Sequence, residues 1–386
     1  MSAWSSHSKK NLIHYGNDCL DARLNMNTKK IILVAVAGLL TTTLLIELLW
    51  EPKRQLHLPT ISNADETVRK NQNLTITKNS TQREKPLNNL DELDELDEAN
   101  KLWKKFNLNI PDRNELEDLI LKDGKIEHMI AAGIILQDAT LLQSALDLDP
   151  KNPHILFLLA LEESVETATK LLLAKTLLEE QPDNLIASYL LSSIYIDLGE
   201  FDNAINTMLG TQKQNSFNDY FKESANIVNN CLVEFNNAEA GASFYSIFNL
   251  PLPMGIKYRQ ISKFLEENYD RSEPDQKMIF RKITAKMGSS LVEQRGLLIN
   301  ELIGISIQKM SMDDMNENDE SPFHGITVLE ARENIRLQKE EIRKSAVTDI
   351  YQIPDLEDKT ISRWCELVLE KGEFEANRWL KGSVNN

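Results

Sequence analysis

A recurring 34-residue interval constrains the fold of this chain more than any other feature. The segments LGEFDNAI (198–205) and VEFNNAE (233–239) share Glu, Phe, Asn and Ala, and Phe235 and Ala238 each follow their counterparts, Phe201 and Ala204, by 34 positions. A helix pair cannot bury its apolar face alone, whereas stacked pairs bury a continuous core and therefore meet the same packing requirements. The interval predicts repeated helix pairs.

The rest of the sequence favours helices throughout. Hydrophobic residues make up 41% of the 386 residues, aromatic residues only 6%, and glycine is sparse. From about residue 114 onward, apolar side chains recur at i, i+3, i+4 and i+7, and no stretch alternates at period two. Prolines fall between the apolar runs and interrupt them, at Pro150, Pro153, Pro182, Pro251 and Pro253. The sequence therefore predicts an all-α protein.

Individual residues of the stretch 185–204 predict how one pair folds. Asp183 and Asn184 can cap a helix that begins near Leu185. Gly199 is suited to the left-handed turn that ends a helix, with Phe201 packed under the turn. Ala204 is small where two helices approach closely.

This pattern resembles the tetratricopeptide repeat (TPR), whose unit has 34 residues. The unit 185–218 places residues at the family's offsets, namely Leu191, Ser192, Tyr195, Gly199, Phe201 and Ala204. The segment ALDLDPKNP (145–153) is similar to a TPR unit boundary, and the unit 151–184 is two residues short. The unit 219–252 departs from the pattern, with Asn229 for Tyr and Val233 for Gly, and a pair at about 126–149 is weaker still.

The resemblance implies a right-handed α-solenoid over 114–252 that binds a segment of another protein in its concave groove. The groove offsets fall on Ile186, Tyr189, Ser193, Ile196 and Asp197, and on Tyr220, Glu223, Ile227, Asn230 and Cys231. Among these, the expected partner-binding residues are Tyr189, Ser193, Asp197, Tyr220, Glu223 and Asn230. The alternative is that the chain's own C-terminal helices cover this face.

An apolar run near the N-terminus predicts a membrane anchor. Residues 31–46 carry no charge, and continuation to Trp50 gives a segment, 31–50, long enough to span a bilayer. A cleaved signal peptide and a buried soluble helix remain alternatives, and Met26 begins a segment shaped like a bacterial export signal. Basic residues precede the run, so residues 1–30 are expected in the cytoplasm and the remainder in the periplasm or elsewhere outside the cytoplasm.

Two further regions flank the predicted repeats. Residues 51–113 are polar and predict a partly disordered tether, whose acidic stretch NNLDELDELDEAN (88–100) is either a docking strip for a basic partner or a solvated spacer. Residues 253–386 predict additional helices around a polar loop at 311–325. The segment LEKGEFEANRWL (369–380) repeats Gly-Glu-Phe and predicts a terminal helix pair that caps the stack.

The sequence lacks the motifs of known catalytic, metal-binding and nucleotide-binding sites. The net charge of −16 argues against binding to nucleic acid. Six histidines are scattered without metal-binding spacing, and no nucleophile, phosphate-binding or dinucleotide motif is present, so we expect no cofactor, no metal, no small-molecule substrate and no catalytic residue. Cys231 and Cys365 are either buried apolar residues or an oxidised pair. The alternative function is an enzyme, or an enzyme subunit, with an unrecognised site in 253–386.

Overall fold

A computed structural model describes residues 105–106, 108–250, 254–269, 273–346 and 356–384, all within the compact unit Lys101–Asn386. These residues form α-helices and one short 3-10 turn, and no strand occurs among them, so the predicted all-α class is confirmed. The predicted cytoplasmic tail, membrane anchor and nearly all of the tether lie outside the described residues. No helix in the described ranges has the length and apolar character needed to cross a membrane.

The region predicted to hold repeats contains nine helices. They are α1 (Arg113–Asp123), α2 (Ile126–Leu136), α3 (Ala139–Leu148), α4 (Pro153–Leu161), α5 (Thr167–Glu180), α6 (Leu185–Asp197), α7 (Phe201–Gly210), α8 (Phe221–Glu234) and α9 (Glu239–Phe248). The 3-10 turn Thr211–Lys213 follows α7. Each predicted unit coincides with one helix pair. In the short unit 151–184, α4 is the shorter of the two helices.

The described residues after position 253 form six helices. They are α10 (Met254–Tyr269), α11 (Pro274–Glu293), α12 (Leu298–Met310), α13 (Val328–Ala346), α14 (Asp358–Lys371) and α15 (Glu373–Val384). The expected polar loop lies between α12 and α13, and α13 carries a buried apolar stripe that includes Val328, Ala331, Ile335 and Ile342. The predicted terminal pair is α14 and α15, which meet at Gly372 with a φ of +88°.

Helices α1 to α7 pack on one another in chain order, each against the next. Buried side chains of α2 to α7 join those of α10 and α11 in one hydrophobic cluster, the largest in the described part of the chain. Consecutive packing of this kind is what stacked helix pairs require, because each pair covers the apolar face of the pair before it.

The turn between α6 and α7 has the predicted geometry. Gly199 has a φ of +73°, its N–H donates to the Ile196 carbonyl, and the next N–H, of Glu200, donates to Tyr195, which together form a Schellman motif. Ala204 is completely buried, and the Ser192 hydroxyl donates to its carbonyl oxygen across the pair. The expectation that Phe201 packs under the turn is wrong.

The Phe201 side chain instead lies at the surface. It is 53% exposed and its ring centroid is 5.6 Å from that of Phe264 on α10. Asn184 does cap α6, since its side chain accepts a hydrogen bond from the Ile186 N–H. Local capping was therefore predictable, whereas the position of the aromatic ring depended on a helix 60 residues away.

After α7 and the 3-10 turn, residues 214–220, which we call the return segment, turn back across the earlier helices. Backbone hydrogen bonds tie this return to the start of α6, with the Leu185 N–H donating to Ser216 and the Ser216 N–H donating to Asp183. The Asn184 side chain also joins the two segments through both the N–H and the carbonyl of Asn218. Helix α8 then packs against α2 as well as α9, so the fourth predicted pair folds back over the first.

The C-terminal helices close over this arrangement. Helix α10 packs on α6, α11 packs closely on α12, and α14 packs on α9. Helices α11 and α12 cross at two glycines, where a Cβ on Gly304 would lie 2.6 Å from the Gly288 carbonyl oxygen. No other residue type permits backbones to approach this closely.

Candidate functional site

The side of α6 that the resemblance assigns to the groove is buried. Ile186, Tyr189 and Ser193 are each 0% exposed. The Tyr189 ring meets Tyr258 of α10 edge to face at a centroid distance of 6.1 Å, and lies 6.3 Å from Phe217 of the return segment. Helix α10 and the return segment therefore cover this face of α6.

Helix α8 and the residue before it lie against the neighbouring helix, α4. Tyr220 is 3% exposed and stacks on His154 at a centroid distance of 5.5 Å and an angle of 13°. Its hydroxyl donates to the Gln181 side chain over 2.7 Å, and its ring also contacts Phe157. Three of the six expected partner-binding residues, Tyr189, Ser193 and Tyr220, are thus enclosed by the chain itself.

The other three expected residues lie at the surface but do not form one cluster. The Asp197 side chain is 44% exposed and accepts hydrogen bonds from Gln260 and Lys257 of α10. Glu223 is exposed and accepts a hydrogen bond from Asn218, beside the first residues of α6. Asp197 is the last residue of α6, so the length of that helix, roughly 18 Å, separates the two acids. That these residues bind a partner stays a prediction.

Asn230 is exposed on α8, two turns after Glu223. We call Asp197, Glu223 and Asn230 the groove rim, because they are the expected partner-binding residues that face solvent. Two acids and one amide on the rim suit polar contacts to basic or neutral partners.

The two histidines that begin helices join elements of the fold. The His154 Nε2 lies 2.7 Å from the Ser224 hydroxyl, and burial lowers the pKa of His154 to about 4, so this imidazole is neutral at physiological pH. The His128 ring lies between Asp123 and Glu234, at 3.0 Å and 3.1 Å, and links the start of α2 to the end of α8. Both histidines are therefore packing residues.

A group of buried and half-buried polar side chains lies where α6 meets α10 and α11. Gln294 donates to the Asp219 carboxylate, while its own Oε1 and the Tyr258 hydroxyl have no hydrogen-bond partner among the described residues. Burial raises the pKa of Asp219, and burial together with that carboxylate raises the pKa of Tyr258 well above its ordinary value. No motif marks this group, because three distant segments supply its members.

A second group of buried acids lies where the terminal pair docks. The Glu373 carboxylate accepts the Leu298 N–H over 2.8 Å at the start of α12, and the Glu373 N–H donates to Gly296. Glu301, one turn further along α12, is 5% exposed, and its Oε1 has no hydrogen-bond partner among the described residues. Burial, and then the charge of Glu373, raises the pKa of Glu301 to about 7, although Arg295 opposes the shift.

A raised carboxyl pKa is one mark of an acid–base catalyst. A catalyst must also touch its substrate, and the Glu301 Oε1 is out of contact with solvent. The pKa of Glu301 is raised by burial, and then by Glu373, because α15 docks at the start of α12.

Cys231 and Cys365 lie in different hydrophobic clusters and are free thiols. Cys231 packs beside α1 and α2, whereas Cys365 packs among the aromatic rings of α9 and α14. Burial raises the pKa of each thiol to about 12, so neither forms the thiolate that reacts or binds metal. Both behave as small apolar residues in this structure.

The described ranges hold no group of three or more His, Cys, Asp or Glu side chains placed to bind a metal ion. No protein-family model, curated protein or solved structure matches this chain.

Proposed function

We propose that this chain is a non-enzymatic, membrane-tethered scaffold that binds a partner protein on its helical repeats. The observation that carries the proposal is the consecutive packing of α1 to α7, with a TPR-like turn at Gly199 and a TPR-like close contact at Ala204. Stacked pairs of this kind present a long surface with fixed spacing, which suits recognition of another chain.

The partner contacts the groove rim rather than the floor of the groove. Tyr189 and Ser193 are occupied by the chain's own packing, whereas Asp197, Glu223 and Asn230 face solvent. The proposal includes a right-handed α-solenoid that is related to the TPR family. The pairing of helices in chain order supports both parts.

In the proposal, residues 31–50 anchor the scaffold in a bacterial cell envelope, with the N-terminus in the cytoplasm and the helical part outside it. The support is the uncharged run with basic residues before it. The uncharged run would serve as the anchor. The polar segment after it would serve as a linker that holds the helical domain at a distance from the bilayer.

Site-specific photo-crosslinking tests the function in membranes that contain the full chain. A photoreactive residue replaces Asp197, Glu223 or Asn230 in turn, and Lys122, exposed at the end of α1, serves as the control position. We expect an adduct of discrete mass from at least one rim position and none from position 122. Absence of an adduct from all three, or the same adducts from the control, overturns the proposal.

A further inference from the structure

An open cleft with a volume of about 460 Å³ lies where α5, α6 and α7 meet the return segment. Ser188 of α6 is part of its wall. This residue lies on the side of α6 nearest α7, because Ser192, one turn later, hydrogen-bonds Ala204 of that helix. The cleft is therefore separate from the face that α10 covers.

The floor of the cleft is mainly apolar. Leu178 and Pro182 contribute to the floor. Gly210, at the end of α7, has no side chain, so it leaves part of the floor uncovered. Gly210 has ordinary helical angles, and a Cβ there would meet no atom within 4 Å. The floor thus has room for a large apolar side chain supplied by another molecule.

A buried acceptor in the cleft wall has no donor. Gln214 is 7% exposed, its Nε2 donates to the Pro182 carbonyl over 2.8 Å, and its Oε1 has no hydrogen-bond partner among the described residues. A buried polar atom left without a partner costs about 1–3 kcal/mol. The wall thus carries an unsatisfied acceptor, and a hydrogen bond from an N–H group would recover that cost.

Two opposite charges border the cleft without neutralising each other. Asp183 and Lys213 both contribute to the lining, and the described part of the chain contains no ion pair between them. The Asp183 carboxylate already accepts the Asn215 N–H, whereas the Lys213 side chain is exposed. The ammonium group of Lys286, bound to the Gln214 carbonyl, adds positive charge nearby.

We propose that this cleft binds an extended peptide segment of a partner protein, with a large apolar side chain on the floor and an acidic residue paired with Lys213. The proposal depends on the proposed function only in that the ligand is a protein. A peptide backbone offers the N–H donors that Gln214 lacks, and Asn206 can accept and donate at the opposite wall. Small ligands favour sites that enclose most of their surface, whereas an open cleft suits a chain that continues past both ends.

The test uses the full chain in lipid nanodiscs and a random-peptide phage display library as the probe. Gly210→Phe fills the floor with no change of backbone angles, and Gly382→Phe, at an exposed position of α15 where an added Cβ would likewise meet no atom within 4 Å, is the matched control. We expect selected peptides to carry a large apolar residue next to an acid. They should bind wild type and Gly382→Phe alike and Gly210→Phe about tenfold more weakly or worse, as measured by fluorescence anisotropy.

A second variant tests the charge. Lys213→Glu should weaken the same peptides by a similar factor, because the ammonium group is replaced by a repelling carboxylate. Circular dichroism confirms that each variant is folded. The proposal that the cleft binds a peptide is overturned if the selected peptides bind Gly210→Phe as tightly as wild type, or if the library yields no peptide. The rim crosslinks are a separate readout, so loss of one proposal leaves the other standing.

Discussion

At the scale of single residues, burial rather than a sequence motif sets the unusual side-chain pKa values of this chain. Glu301 shows this most clearly, because its pKa is raised to about 7 first by burial and second by Glu373. Arg295 lowers it and Glu375 adds to the shift, so all the charges that influence Glu301 come from the turn before α12 and the start of α15. The charge of one side chain thus depends on whether the terminal pair is docked.

Replacing Glu301 with glutamine should remove one pH-dependent contribution to stability. The folded-state pKa of Glu301, about 7, lies above its ordinary value of 4.5. The folded state therefore binds more protons than the unfolded state between these pH values, and stability falls as pH rises through that window. Above pH 7 the loss is complete, at about 3 kcal/mol for this side chain.

Urea unfolding of the two proteins at pH 4.5 to 8 measures this effect. The difference in unfolding free energy between Glu301→Gln and wild type should grow with pH and level off above pH 7. Glu341→Gln, at an exposed position of α13, is the control and should track wild type. Parallel curves for wild type and Glu301→Gln across the whole range would contradict the account.

At the scale of elements, the helices and their caps were predictable, and their tertiary partners were not. The period of the apolar residues, the Asn184 cap and the Gly199 turn all act within a few residues, so one sequence reveals them. The return of α8 onto α2 depends on side chains such as Asn184 that bridge 34 positions. Burial of Tyr189 likewise follows from α10, a helix that the repeat pattern does not position.

The crossing of α11 and α12 gives a prediction at this scale. In Gly304→Ala, the added Cβ would lie 2.6 Å from the Gly288 carbonyl oxygen and 2.9 Å from Val292. Because one of these neighbours is backbone, the helices must separate, and we expect a loss of about 1–3 kcal/mol. Thermal and urea unfolding measure it.

Gly382→Ala is the matched control for this substitution. Position 382 is exposed and helical, and its Cβ would meet nothing within 4 Å, so alanine there should leave stability unchanged or raise it by up to about 1 kcal/mol. If Gly304→Ala is as stable as Gly382→Ala, the two helices are further apart than described.

At the scale of the whole described unit, the repeats and the C-terminal helices share one core. The largest cluster joins α2 to α7 with α10 and α11, so the repeat stack does not have a core of its own. A solenoid that binds ligands in its groove keeps that face open, whereas in this chain α10 and the return segment cover the face of α6. The central claim is that this face of α6 is closed, so the partner in our proposal contacts the rim or the outer surfaces.

Thiol labelling of the folded full chain tests that claim most directly. With Cys19 replaced by serine, Ser193→Cys places a thiol on the covered face, where Ser193 is 0% exposed, and Asn230→Cys places one on the rim. The buried Cys231 and Cys365 add no fast reaction. We expect a maleimide to label position 230 rapidly and position 193 only after denaturation. Labelling of position 193 in the native protein at the rate of position 230 would show an open groove and contradict the account.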